Sequence, residues 1–122
     1  MAHSLTWQSN GLFRNFTDEI SPEEILKSNF DIHIHPQFEK IKYIINDFTK
    51  VTELVINSEH TKIYASTDDV ISDTKGKLKI AIVANQDAHI ALANSYREQM
   101  KNKFFECEIF QTQEEAQVWA EL

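Results

Sequence analysis

Apolar residues in this chain recur in two rhythms, alternating with polar ones in short segments and returning at helical spacing in the longer stretches between. Leu5-Thr6-Trp7-Gln8 and Leu12-Phe13-Arg14-Asn15-Phe16-Thr17 read as short strands on either side of Asn10-Gly11. Both residues of that pair tolerate positive φ, so the pattern predicts a β-hairpin. Ser21-Pro22-Glu23-Glu24 predicts a helix start, with Ser21 as cap, Pro22 in the first helical position and Glu24 completing a capping box. Leu26, Phe30, His33 and Ile34 follow at helical spacing, and Pro36 stops the helix.

Residues 41–48 form the strongest strand, because Tyr43-Ile44-Ile45 is apolar on both faces and suits a strand covered on both sides. Residues 51–56 fit either a short edge strand or an irregular connection. A second helix is expected from Asn57-Ser58 to just before Gly76, with Ile63, Thr67, Val70, Ile71 and Thr74 inside and Asp68, Asp69 and Asp73 outside. Residues 78–84 repeat the buried-strand pattern. Asn85-Gln86-Asp87 leads into a third helix whose stripe is Leu92, Ala93, Tyr96 and Met100. Residues 105–109 alternate strictly, the mark of a strand with one wet face. Thr112-Gln113-Glu114-Glu115 is a further capping box opening a last helix with Ala116, Val118, Trp119 and Leu122.

After the opening hairpin, strands and helices alternate. Right-handed crossovers then predict an α/β fold, a mixed and mostly parallel sheet with flanking helices. The 122 residues suit a single domain over residues 1–122, with no visible linker or repeat.

Charge and cysteine content narrow the function classes. Nineteen acidic residues against twelve basic ones give a net charge of −7, with no basic stripe, so nucleic acid is not an expected partner. The single cysteine, Cys107, excludes an intramolecular disulfide and suits a reducing, cytoplasmic setting. The start Met1-Ala2-His3-Ser4-Leu5 lacks the basic and apolar regions of a signal peptide. No run approaches the ~20 apolar residues of an integral membrane segment.

The candidate chemistry is sparse. Asp47 and Asp87 fall at or just past the carboxyl ends of the two buried strands, where open α/β sheets bind ligands. Asn46, Asn85 and Ser58 belong to the same rim. The plainer reading is that these residues cap helices and turns. His33 and His35 could chelate a metal only from a strand; on the expected helix they diverge by about 200°, so no metal site is expected. His60 and His89, near helix starts, are expected to be neutral and hydrogen-bonded. Cys107 shares a face with Phe105 and Ile109 and reads as a core thiol. Two glycines cannot build a phosphate loop, and no cofactor is expected.

Several of these segments together resemble a known group. They are Gly11 to Thr17, the Ser21-Pro22-Glu23-Glu24 start, His35-Pro36-Gln37-Phe38 leading into Tyr43 to Phe48, and Lys79-Ile80-Ala81-Ile82-Val83-Ala84. Ala93, Tyr96 and the closing helix through Trp119 also fit. The chain is similar to small bacterial proteins of the SpoIIAA-like, STAS-related fold. That resemblance implies a non-enzymatic regulatory module that binds a protein partner. It also implies a switch by phosphorylation of a Ser at the start of the helix after the central strand, in an Asp-Ser-Ser-Gly-like turn. Here that turn is missing, and Ser58 and Thr61 are the nearest hydroxyls. The related CRAL-TRIO domains bind lipids, which implies a small apolar ligand as the alternative. The hairpin edge leaves a homodimer open.

Overall fold

The structure is a computed structural model describing residues 3–122. Met1 and Ala2, on which the reading of the amino terminus partly rests, lie outside the described residues. The expected hairpin is made by β1 (His3–Trp7) and β2 (Gly11–Ile20), which pair antiparallel. β3 (Tyr43–Leu54), β4 (Leu78–Val83) and β5 (Phe105–Phe110) then add in parallel, so the five strands lie side by side in chain order. Between them run α1 (Pro22–His33), a 3₁₀ turn (Pro36–Lys40), α2 (Ser58–Lys75) and α3 (Asp87–Gln99), and α4 (Gln113–Ala120) closes the chain. This is the expected mixed, mostly parallel α/β sheet with flanking helices.

The placement of the helices follows from the strand order. Each parallel crossover moves one strand in the same direction, so connections of one hand put their helices on one face. Ile25 and Ile32 of α1, Tyr64 and Ala65 of α2, and Ala93 and Tyr96 of α3 share a core with Leu12, Ile44 and Ile80 of the sheet. α4 covers the other face, where Ala116 and Ala120 pack on Tyr43, Ile45, Ala81 and Val83. The small alanines let α4 lie close to the strands.

Several local expectations need correction. Residues 51–56 form no separate strand; β3 runs on through Leu54, paired with a β2 that extends to Ile20. The register slips twice in this extension, and Asp18 there adopts a left-handed φ of 61°. Gly11 takes no positive φ. It opens β2 opposite Tyr43, and a Cβ there would lie 2.1 Å from Tyr43 Cε1. Close approach of that ring, not turn conformation, requires the glycine.

Ser21 caps α1 as expected, accepting from Glu24 N at 3.2 Å, but the Glu24 carboxylate pairs with His3 instead of reaching back to the cap. Thr112 likewise accepts from Glu115 N, while its own hydroxyl donates to Glu115 Oε1. At α2, Asn57 and His60 form the reciprocal pair that sequence spacing did not single out.

The larger corrections concern which helix faces turn inward. On α1 the buried residues are Ile25, Ser28, Asn29 and Ile32, while Leu26, Phe30 and Ile34 are 47%, 63% and 63% exposed. On α2, Thr61, Tyr64, Ala65, Asp68 and Ser72 are buried and Ile63 and Val70 are exposed. Val118 and Leu122, expected inside, are exposed as well.

Candidate functional site

The inversion of α1 and α2 has a cause in β2. Strand alternation puts Leu12, Arg14 and Phe16 on one face of β2, and all three are buried. A guanidinium thus occupies a core position, and a buried charge must be bonded. Arg14 Nε donates to Asn46 Oδ1 at 2.7 Å; Nη1 donates to Ser28 Oγ at 2.9 Å and Asn29 Oδ1 at 2.6 Å. The inner face of α1 carries Ser28 and Asn29 between Ile25 and Ile32 because it must answer Arg14, and Leu26, Phe30 and Ile34 are left on the outer face.

No carboxylate pairs directly with Arg14 among the described residues. The strongest favourable charge acting on it is Asp68 on α2, whose Oδ2 accepts from the Tyr96 hydroxyl of α3 at 2.5 Å. Burial lowers the Arg14 pKa to about 10, opposed by Asp68, so the group stays charged at neutral pH. Burial raises Asp68 to about 6, against the lowering effects of the Tyr96 hydrogen bond and Arg14. His33 Nε2 approaches Asp68 Oδ1 at 3.6 Å. That approach is no ion pair at neutral pH, since burial, with Arg14 adding to it, pushes His33 down to about 4.

The cluster borders a cavity of about 90 Å³ between the sheet and α1, α2 and α3. Its walls are largely Ile25, Ile32, Ile44, Ile80 and Ile82, and Arg14, Asn46, Thr61, Asp68, Tyr96 and His89 supply its polar groups. Thr61 and His89 lie in the first turns of their helices, so one end of the cavity is at the carboxyl ends of the parallel strands. His89 is only 6% exposed, and its Nδ1 has no hydrogen-bond partner. The expectation of a hydrogen-bonded imidazole is corrected there; burial alone lowers its pKa and keeps it neutral.

The residues expected on the rim divide. Asn46 lines the cavity and holds Arg14. Asp47 points to the opposite sheet face, as its neighbour must in a strand. There it accepts from Thr49 N and Oγ1 at 2.7 Å each and from Gln113 Nε2 at 2.6 Å. Asn85 and Asp87 are exposed and do not line the cavity. Ser58 is exposed at the first residue of α2. Thr61 is buried, bonded to Ser58 O at 2.7 Å and to Ser95 Oγ at 2.9 Å. His33 and His35 diverge: His33 faces Asp68, while His35 caps the 3₁₀ turn and stacks on Trp7. Cys107 is a buried thiol pushed up to about 12 by burial and by Glu108.

The central residue, Arg14, was not singled out from sequence, although its place between Leu12 and Phe16 on an alternating strand was the available signal. At about 90 Å³ the cavity is well below the few hundred Å³ of ordinary ligand pockets, so a lipid-sized passenger finds no room in it.

No protein-family model and no curated protein sequence matches the chain. Solved structures do. The unphosphorylated form of the anti-sigma factor antagonist SpoIIAA aligns at a TM-score of 0.61 with 12% identity, covering 98% of both chains. An uncharacterised DUF3478-family protein with a SpoIIAA-like fold from Shewanella loihica aligns at 0.52 with 15% identity, covering 98% of this chain and 92% of that one. The chain therefore has the SpoIIAA-like fold expected from its sequence, and at these identities the likeness is one of fold.

Proposed function

We propose that this protein is a non-enzymatic interaction module that engages a protein partner through the outer face of α1. The observation that carries this reading is the row Leu26, Phe30 and Ile34. They are spaced four apart, so they share one helix face, and about half or more of each is exposed. Monomeric proteins seldom leave such a row uncovered without a binding role. Exposed Ile63 and Val70 on α2 extend the apolar character of the helical layer.

The fold supports the same reading. One protein similar to this chain is SpoIIAA, an anti-sigma factor antagonist. The net charge of −7 disfavours nucleic acid as the partner. If a phosphate regulates the contact, Ser58 is the hydroxyl in the open, at a helix N-terminus that favours negative charge, whereas Thr61 is enclosed. A cytoplasmic setting and a homodimer through β1 remain parts of this reading.

Affinity purification of the tagged full chain from its own cells, with quantitative mass spectrometry, tests it. Proteins enriched by the wild type should be lost with Phe30→Glu/Ile34→Glu, while thermal melting stays unchanged. Equal enrichment by both chains would contradict the assignment of the contact to α1.

A further inference from the structure

The cavity has a feature that neither packing nor the surface reading uses. Arg14 spends Nε and Nη1 on three neutral acceptors, and among the described residues Nη2 makes no hydrogen bond. The same cavity holds the unpartnered Nδ1 of His89, a residue more than nine-tenths buried. Unpaired polar nitrogens are uncommon in protein interiors, and each left unsatisfied is destabilising. Among the described residues His89 Nδ1 is the one buried side-chain nitrogen or oxygen without a partner, and with the spare Nη2 of a permanent cation lining the same cavity it calls for a further group there.

We propose that the cavity binds a small aliphatic carboxylate, with Arg14 Nη2 and His89 Nδ1 taking its oxygens and the isoleucine walls taking its alkyl group. Size sets the class. About 90 Å³ is well under the few hundred Å³ of ordinary ligand pockets, which favours an acid of a few carbons. Wall chemistry sets the charge count. A phosphate would bring four oxygens into a chamber walled by Ile25, Ile32, Ile44, Ile80 and Ile82, most of them unanswered. A carboxylate brings two oxygens and one charge, and Arg14 Nη2 and His89 Nδ1 offer one nitrogen for each oxygen. Asp68 does not take that place: its Oδ2 accepts from Tyr96, its Oδ1 lies 3.6 Å from His33 Nε2, and neither bonds Arg14. The site depends on the buried face of α1 and is independent of partner contact on the outer face.

Sodium propionate titrated into the full chain, followed by amide NMR at constant ionic strength with chloride as control, tests the inference. Saturable shifts should appear for residues lining the cavity, with affinity about ten-fold or more above that of propionamide, its neutral counterpart. Arg14→Gln should abolish the preference for the acid. Ala93→Leu, which fills the cavity and leaves Arg14 in place, should abolish binding of both. If Arg14→Gln does not fold, the acid–amide comparison and Ala93→Leu still decide. Equal affinity for propionate and propionamide, shifts confined to surface residues, or undiminished binding by Ala93→Leu would overturn the proposal.

Discussion

The Tyr96 hydroxyl donates to Asp68 Oδ2 at 2.5 Å, tying α3 to α2 above a sheet face where an arginine replaces an apolar side chain. The bond favours the ionised carboxylate, and burial opposes it. In Tyr96→Phe the carboxylate loses that donor, so the Asp68 pKa should rise above its value of about 6. Stability at neutral pH should fall by about 1–3 kcal/mol. Carboxyl-carbon NMR titration and urea melts read the two effects.

His33 and Asp68 should impose opposite pH dependences on folding. His33 has its pKa lowered from 6.5 to about 4, so between these values the unfolded chain holds a proton that the folded chain lacks. Its contribution to stability is present above 6.5 and is lost as pH falls towards 4. Asp68 is raised from 3.8 to about 6, so between these values the folded chain holds the extra proton. The penalty of its buried charge, present above 6, is relieved as pH falls. Removing His33 as His33→Gln should therefore make stability rise more on acidification from pH 6 to 4 than in the wild type. Asp68→Asn should shift the slope the other way, each by about 1 kcal/mol per pH unit. Urea melts across that range check both signs; slopes shifted in the same direction would refute the assignment.

Gly11→Ala should destabilise the sheet through Tyr43. Helix or turn propensity would favour alanine at a glycine with no positive φ, but the new Cβ would overlap the ring at 2.1 Å. Overpacking of this kind costs about 1–3 kcal/mol. Tyr43→Leu should then be far less harmful in the Gly11→Ala background than alone, a coupling that a double-mutant cycle measures.

What the sequence made legible follows from where side chains answer only to their own segment. Ser21, Asn57 and Thr112 lie at helix starts because capping is local chemistry, and the runs around Ile44–Ile45 and Ile80–Ile82 are strands because both sides are covered. The faces of α1 and α2 were misread because their orientation answers to a residue elsewhere. Ser28 and Asn29 turn inward to bond Arg14, and Asp68 turns inward beside it, which leaves Leu26, Phe30, Ile63 and Val70 outside. Apolar periodicity assumes an apolar core, and one buried guanidinium inverts it. Of the expected rim residues Asn46 reaches the cavity, as does Thr61, which was named only as a hydroxyl near the helix start; Asp47 misses it because successive strand residues point to opposite faces.

Site-specific photo-crosslinking in living cells tests the outer face of α1 most directly. A benzophenone amino acid placed at position 30 should yield a discrete adduct with a protein other than this chain, and the same group at exposed position 52, at the end of β3, should not. Adducts of equal yield from both positions, adducts only with a second copy, or none but lipid adducts at position 30 would contradict a protein-docking role for Leu26, Phe30 and Ile34.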